Sequence, residues 1–583
     1  MKMALNTTKE LIESPAPATI NKKIVVTGAR LSDSDSIELV TGDAVITLLC
    51  TNGGFQQSWD LLFDACPWAT VFQKRSFIAA WYQAHRNEHC PVLVKLTEQG
   101  QLKGILAMVI MDTPANGNPG TIKGGRITAA GHYDGLYQTW LATPANGDAF
   151  ISKALTEIMK QFPAHTITLR FIPPGTPMNW LEKDPKWQQY CIVQSHARPL
   201  INLKTAQEEK TFQRKKHFKH KMNRLKRLGE VELETITDLQ RFETALNEMA
   251  IMYDFRQSAL FNKNPFGESP EKKEFLIELF RLQLLHVTVL KVNETIIAGI
   301  IAVGEKDWMY LAGLSCHSPV YARLYSPGLL QFIMLAQQLA TEGFTYFDLT
   351  PGYDAYKEDL ANEHDEVLEL VISSKKAFRL KRRMRKWVHS RLIAWGKRPM
   401  SVELSMKFYT YLAKHRTPAS LIKQVFKRIG KKEKLQRFWL QNYALISGDR
   451  ISLKKDDILD LRQFTTTKRS ALTRWEFLSD AVYRLERGQH CYTWVENNCL
   501  MACVWFNYQD AQLANKEEKE KPEVDNTFEF LGLYYHATAH DRINIFIKEV
   551  INAAVNKEKK NYISSKEKLL SKVLDLSGIN LDH

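Results

Sequence analysis

The segment KEFLIELFRLQLLHVTVLKVNETIIAGIIAV, residues 273–303, decides the fold. Its first third has apolar residues at helical spacing, and two apolar runs of strand length follow, separated by a short polar turn. The same order recurs in residues 75–110 and in residues 475–506. An internal repeat of this length predicts several structural units built on one plan.

The three copies continue alike beyond the hairpin. A further strand is predicted in GRITAAGHYDGL (125–136), WMYLAGLSCHS (308–318) and TFEFLGLYYHAT (527–538), and a helix follows each. A closing strand ends the first two copies, whereas that of the third, KNYISS (560–565), is short and weak. An antiparallel meander that runs into a β-α-β crossover predicts an α/β (α+β) fold with a mixed central sheet in each of three repeats.

The repeats set the predicted boundaries. Residues 1–49 form a lead-in segment, residues 50–200 the first unit and residues 201–375 the second, which is predicted to be catalytic. Residues 376–435 form a basic helical linker, and residues 436–583 a third, degenerate unit whose final helix lacks a glycine at its start.

Bulk composition narrows the class of protein. The 583 residues carry a net charge of +15, which favours an anionic partner. No apolar run approaches the roughly 18 residues that span a bilayer, and the first residues lack the pattern of a signal peptide. The eight cysteines include no CxxC pair, so the sequence predicts reduced thiols, a cytoplasmic location and no metal site.

The stretch YSPGLLQFIMLAQQLATEGFTYFDLTPGYDAYKEDL, from Tyr325 to Leu360, predicts a ligand site. Ser326 is placed to cap a helix by accepting a backbone N–H, and Gly328 lets a ligand approach the backbone. Such a helix start suits a pyrophosphate, although Ser-Pro-Gly is also a common helix start without a ligand. Asp348 ends the next strand, and carboxyl ends of strands collect ligands in open α/β sheets.

These residues resemble a known family. The element order is similar to the acetyltransferase fold of the GNAT superfamily. The strand ending in Phe-Asp, followed by a glycine and Tyr-Lys, resembles the double-GNAT family associated with cellulose and exopolysaccharide biosynthesis, which is related to Fem-type aminoacyltransferases. FQRKKHFKHKMNRLKRLGEVELE (212–234) and AGHYDGLYQTWL (130–141) resemble further family segments. The resemblance covers about 50–375, and the usual glycine-rich loop Q/R-x-x-G-x-G/A is absent.

The resemblance implies a thioester donor, either an acyl-CoA or an acyl carrier protein, held at the helix start. Its predicted donor-binding residues are Arg323, Tyr325, Ser326 and Gly328.

Acyl transfer needs a deprotonated acceptor and a proton for the leaving thiolate. Asp348 is a candidate base, or else a residue that caps the turn at Thr350. Tyr356 is a candidate proton donor, Lys357 neutralises a phosphate or carboxylate, and Tyr353 contacts substrate or is a half-buried surface aromatic.

Two further groups complete the predicted site. His132 and Asp134 occupy the equivalent place in the first copy and are predicted to face Tyr356 across a shared cleft, although a lone histidine is more often structural. Arg256 is predicted to bind an acceptor carboxylate or phosphate, with a surface salt bridge as the alternative.

Two segments predict basic amphipathic helices. Residues 214–227 have their apolar side on the core, and residues 375–391 carry Lys and Arg around an apolar stripe. For the second, peripheral contact with an anionic inner membrane or an acyl carrier protein is predicted, and solvated charge is the alternative. No motif for sequence-specific nucleic-acid binding accompanies the charge.

The sequence therefore predicts an acyltransferase. It moves an acyl group from a CoA or carrier thioester to an amine or hydroxyl of an envelope polysaccharide, amino acid or lipid precursor. The alternatives are a Fem-like transferase that depends on aminoacyl-tRNA and a membrane-associated scaffold without activity.

Overall fold

The computed structural model describes most of the chain. The described residues are 27–32, 35–116, 124–208, 216–415, 436–439, 451–466, 472–509, 526–554 and 561–565. Residues 1–26 of the predicted lead-in and residues 416–435 of the predicted linker lie outside them.

The three predicted hairpins are present. They pair β3 with β4, β10 with β11 and β17 with β18, all antiparallel. Their two-residue turns place residues in the left-handed region, namely Gln99 and Gly100, Asn293, and Asn497 with Asn498. Positive φ at the turn matches the twist of the flanking strands, so each polar turn fixes the register of its hairpin.

Residues 27–372 build one large sheet. Its order is β1-β2-β3-β4-β5-β7-β14-β8-β13-β12-β11-β10-β9, with β6 beside β4. The strands are β1 (Thr27–Ser32), β2 (Asp35–Thr41), β3 (Cys90–Glu98), β4 (Gln101–Ile110), β5 (Arg126–Ala129), β6 (Leu141–Ala142), β7 (Thr166–Ile172), β8 (Cys191–Asn202), β9 (Val231–Ile236), β10 (Leu285–Val292), β11 (Thr295–Glu305), β12 (Trp308–His317), β13 (Tyr346–Asp348) and β14 (Glu363–Ile372).

The first two copies exchange their last strands at the centre of this sheet. In each copy the meander leads into a parallel crossover pair, β5 with β7 and β12 with β13. One further strand follows each crossover: β8 of the first copy pairs with β13 of the second, while β14 of the second pairs with β7 of the first. The two copies therefore share one hydrogen-bonded sheet.

The third copy forms a separate mixed sheet of order β15-β20-β19-β18-β17-β16. Its last strand pairs in parallel with β19, so the short closing segment completes the same crossover. The strands are β15 (Gln436–Trp439), β16 (Lys454–Lys455), β17 (His490–Glu496), β18 (Cys499–Gln509), β19 (Asn526–Tyr535) and β20 (Asn561–Ser565). The predicted α/β class with mixed central sheets is confirmed.

Helices cover the sheets. They are α1 (Asp43–Thr51), α2 (Gly53–Ala65), α3 (Arg75–Ala84), α4 (Gly147–Gln161), α5 (Trp180–Lys183), α6 (Pro185–Tyr190), α7 (Leu203–Glu208), α8 (Lys216–Leu225), α9 (Leu239–Phe261), α10 (Pro265–Glu268), α11 (Glu271–Arg281), α12 (Ala322–Tyr325), α13 (Pro327–Thr341), α14 (Ala355–Leu360), α15 (Lys376–Ala394), α16 (Pro399–His415), α17 (Ile458–Arg462), α18 (Arg474–Glu486) and α19 (Ile543–Ala554).

The ordered fold begins before residue 50. β2 pairs with β3, and Ile37, Leu39, Val45 and Leu49 are buried in the first core. Residues 35–49 are thus part of the first sheet and its covering helix rather than a loose lead-in, because their apolar side chains fill that core.

The third unit packs on the second through α9 and α18. The indole of Trp475 donates to the carbonyl of Ala259 at 2.9 Å, and Arg462 pairs with the buried Asp254 at 3.1 Å. Phe408 of α16 lies edge-on to the Trp475 ring at 5.1 Å. The basic helical segment therefore contacts the third unit through α16.

Candidate active site

The candidate site begins where two parallel strands part. β12 pairs with β13 only over Trp308–Tyr310, but β12 continues to His317. Helix α13 starts beside that end, since a Cβ added at Gly328 would lie 3.2 Å from Nδ1 of His317. The end of β12, the first turn of α13 and the loop after β13 thus surround one region at the carboxyl ends of the strands.

Three polar side chains interact electrostatically there. Burial, reinforced by the Arg256 guanidinium, lowers the pKa of His317 to about 4. Burial also raises the pKa of Tyr356 to about 12, with Asp354 adding to the rise and Arg256 opposing it. The Tyr356 ring packs 5.6 Å from that of Phe332 on α13. At neutral pH the site therefore holds a neutral imidazole, a protonated phenol and a guanidinium.

Ser326 does not cap α13 as predicted. Its φ of 49° is left-handed, and its side chain makes no capping hydrogen bond. Its hydroxyl instead accepts from the ammonium of Lys221, which lies on the basic helix α8. This prediction is wrong because the left-handed backbone turns the hydroxyl away from the first-turn amides, and a cation takes its place at the helix start.

Asp348 is completely buried in a hydrogen-bond network that joins the first two copies. One carboxylate oxygen accepts from Tyr137 at 2.6 Å and from Arg198 at 3.3 Å, and the other accepts from the amide of Thr350 at 2.7 Å. Arg198 also pairs with Asp365. Burial raises the pKa of Asp348 although Arg198 and Tyr137 oppose the rise. Both readings of the sequence, a perturbed carboxyl and a turn cap at Thr350, therefore describe this residue, whose catalytic role stays a prediction.

Lys357 lies in the same loop and is also buried. Its ammonium donates to the hydroxyl of Thr350 at 2.7 Å and lies 3.9 Å from Asp354. Burial lowers its pKa to about 8, an effect that Asp354 and Asp348 partly offset. Tyr353, predicted to bind substrate, packs 6.0 Å from the ring of His389 on α15.

The lowered pKa of Lys357 predicts a pH-dependent stability. Between pH 8 and the ordinary lysine value of 10.5, the unfolded chain keeps the proton that the folded chain has lost. Stability then rises with pH, and the difference in unfolding free energy between wild type and Lys357→Met is expected to shift in favour of wild type by roughly 1–3 kcal/mol. Urea denaturation across this range measures it. A difference that does not change with pH would contradict the assignment.

His132 and Asp134 belong to a different cluster. Asp134 pairs with Lys272 of α11 at 3.0 Å and accepts from the indole of Trp81 at 3.2 Å. Burial opposes ionisation of Asp134, but Lys272 brings its pKa below the ordinary value. Burial, aided by Arg126, lowers the pKa of His132 to about 4. The contacts described for this pair do not include Tyr356, so the predicted shared cleft stays a prediction.

The same cluster holds potential metal ligands that sequence reasoning did not single out. One donor atom each of His85, Glu88 and His89 lies within 4.8 Å of the others. Nε2 of His85 is buried without a hydrogen-bond partner and faces Asp134 at 3.9 Å.

Two of the predicted donor-binding residues are engaged elsewhere. The guanidinium of Arg323 donates to the carbonyl of Arg487 in the third unit at 2.8 Å. Tyr325 is buried between α8 and α13, where it packs with Leu225 and Leu330. Their roles toward a donor stay predictions.

Arg256 influences the pKa values of both His317 and Tyr356, and the site roles predicted for Gly328, Arg256 and Tyr356 stay predictions. The structure adds His317, which sequence reasoning missed. Its signal in the sequence was a polar residue at the end of an apolar strand, in LSCH. Arg198 was missed as well, since it is one of several polar residues in the strand CIVQSHARPLIN and nothing local distinguishes it.

Comparison with known proteins identifies the class of this site. Residues 213–358, which span α8 to α14, match the family model described as an acetyltransferase (GNAT) domain. The protein is accordingly an acyltransferase whose matched domain contains the site around Gly328, and GNAT domains typically use an acyl-CoA donor.

Similar solved structures include three of note. FemX has a TM-score of 0.40 at 9% identity, over 56% of this chain and 98% of its own. A tandem GNAT protein from the clavulanic acid biosynthesis pathway has a TM-score of 0.34 at 11% identity, over 57% and 98%. L-PGS from Bacillus licheniformis has a TM-score of 0.32 at 12% identity, over 48% and 83%. A search of curated proteins returned no match.

Proposed function

We propose that the second unit transfers an acyl group from a CoA or carrier-protein thioester to an amine or hydroxyl of an envelope polysaccharide, amino acid or lipid precursor. The observation that carries this proposal is the start of α13, which has no side-chain cap and lies beside His317 at the end of β12, with the Tyr356 ring against Phe332 of the same helix.

The donor half of the site rests on α13. The first-turn amides of a helix without a side-chain cap offer hydrogen bonds and a positive dipole end to a diphosphate. Lys221 stands beside Ser326, and burial lowers the pKa of its ammonium. An anion at the helix start would compensate that partly buried charge.

The acceptor is proposed to bind near the point where β12 and β13 separate. Arg256 can hold an acceptor carboxylate or phosphate through its planar fork. The pKa of Tyr356 is raised to about 12, so its phenol is protonated at neutral pH. A protonated phenol suits a group that donates a proton to the leaving thiolate. The imidazole of His317 is neutral at physiological pH and can accept a hydrogen bond from the attacking amine or hydroxyl.

A donor panel tests the proposal. Acetyl-CoA, a long-chain acyl-CoA and an acylated carrier protein are each added to the full chain, and thermal unfolding and thioester consumption are followed. One donor is expected to raise the melting temperature, because a ligand at 100 times its dissociation constant adds about 2.7 kcal/mol to the native state. The proposal fails if no donor shifts the melting temperature or is consumed.

The alternatives give different outcomes in the same assay. Aminoacyl-tRNA-dependent transfer requires charged tRNA, whereas a scaffold consumes no donor. The proposed location is the cytoplasm, with peripheral contact at the inner membrane supported by the exposed face of α15.

A further inference from the structure

We infer that one face of α15 is a docking surface for an anionic lipid bilayer. The inference goes beyond acyl transfer, since the residues that form this face lie outside the cleft around Gly328. It rests on an amphipathic helix whose polar side faces the protein and whose apolar side faces solvent.

The polar side of α15 is used to hold the helix on the large sheet. The guanidinium of Arg379 is buried and donates to the carbonyls of Ser373 at 2.9 Å and Ser374 at 2.7 Å. Arg382 pairs with Glu369 of β14, and Lys386 donates to the carbonyl of Val193 on β8 at 2.7 Å. The helix is therefore anchored through its charges, which is the reverse of ordinary packing of an amphipathic helix on a core.

The apolar side is left open. Large side chains at positions i, i+4, i+7 and i+8 form a stripe that no described residue covers, and Trp395 extends it past the helix end. Their exposed fractions are Leu380 64%, Met384 61%, Trp387 60%, Val388 45% and Trp395 67%. A contiguous exposed stripe of this kind marks an interaction surface.

Cations border the stripe. Every ionised side chain between residues 376 and 394 is Lys or Arg. Lys381 and Arg383 are exposed and make no ion pair within the described part of the chain, while Arg391 lies 5.5 Å from the centroid of the Trp387 ring. An apolar strip with tryptophans between two cationic margins matches the acyl boundary and the anionic headgroups of a bilayer.

A bilayer fits this face better than a soluble acidic partner does. The stripe lies on the exposed side of one helix, which is how surface-bound amphipathic helices present their apolar side chains to a bilayer. No described helix is long and apolar enough to cross a membrane, so the expected mode is surface binding.

The surface is connected to the candidate site. Arg398, in the turn after α15, pairs with Asp354 at 2.7 Å, and His389 contacts Tyr353, both in the loop that precedes Tyr356. If the proposed function holds, a docked membrane presents a lipid-borne acceptor beside that loop.

Co-sedimentation of the full chain with vesicles tests the inference. One set contains equal parts phosphatidylglycerol and phosphatidylcholine, and the other phosphatidylcholine alone. The test variant is Leu380→Gln/Met384→Gln/Trp387→Gln. The matched control is Leu61→Gln on α2, because Leu61 is also 64% exposed but lies in the first unit.

Wild type and the Leu61→Gln control are expected to bind the anionic vesicles at least about 10-fold better than the neutral ones, with binding weakened by salt. The triple variant is expected to lose at least about 10-fold of that binding while keeping its melting temperature. Equal binding by the triple variant would mean attraction by charge alone and would overturn the inference. Failure of wild type to bind would also overturn it and leave a covering segment of this chain or an acidic protein as the occupant. Neither outcome depends on donor consumption, so failure of the proposed function is distinguished.

Discussion

Replacing Arg198 with methionine is expected to lower the free energy of unfolding by about 3–5 kcal/mol, because it leaves a buried carboxylate without its cation. Asp348 is completely buried, and the Arg198 guanidinium is 5% exposed between it and Asp365. Methionine has similar length but cannot compensate the charge. Urea denaturation at neutral pH measures the loss.

Two comparisons isolate the cause. The double variant Arg198→Met/Asp348→Asn also removes the carboxylate charge of Asp348 that the single variant leaves unpaired. It is expected to recover part of the lost stability. Arg75→Met breaks a half-exposed pair with Asp60 at 3.0 Å and is expected to cost about 1 kcal/mol or less. A double variant as unstable as the sum of its single variants would contradict the explanation. The deficit of Arg198→Met is also expected to shrink toward acid pH, where Asp348 takes up a proton.

The sequence predicts the local elements of this fold well. The helix, hairpin, strand and crossover order of 273–303 and its repeats depends on hydrophobic period and turn residues, and both signals are local. The exchange of β8 and β14 is not predictable in this way. Each of the two strands has apolar runs and could pair with either crossover strand, β7 or β13. Which of the two it pairs with is determined by contacts between residues distant in sequence.

The candidate site was predictable in pieces. Gly328 and Tyr356 were identified from the helix start and the strand-end loop. Arg256 was identified from a segment that the sequence predicts as a loop between helices, whereas it lies within the helix α9. The pairing of Asp134 with Lys272 could not be foreseen, since the two lie far apart in the chain and meet where α11 packs on α3. The cap predicted at Ser326 is absent because a serine side chain suits an N-cap, whereas the left-handed backbone found at this residue does not.

Replacing Gly328 with tryptophan is expected to reduce donor binding and turnover by about 100-fold or more, because displacement of a bound group by even about 1 Å costs that much. The indole would leave the first turn of α13 toward the place proposed for the diphosphate. Gly328→Ala adds only a Cβ, 3.2 Å from Nδ1 of His317, and is expected to have a smaller effect. The measurements are donor affinity by calorimetry and turnover with saturating acceptor.

Gly53→Trp is the matched control for this prediction. Gly53 is the first residue of α2, and a Cβ there meets nothing within 4 Å, so the same side chain at another helix start is expected to leave donor binding unchanged. Equal losses in Gly328→Trp and Gly53→Trp would indicate a general effect of the bulky residue on the fold, which their melting temperatures would reveal. Normal donor binding by a folded Gly328→Trp would remove the diphosphate from the start of α13, and the acyl donor would then have to be sought elsewhere in the second unit.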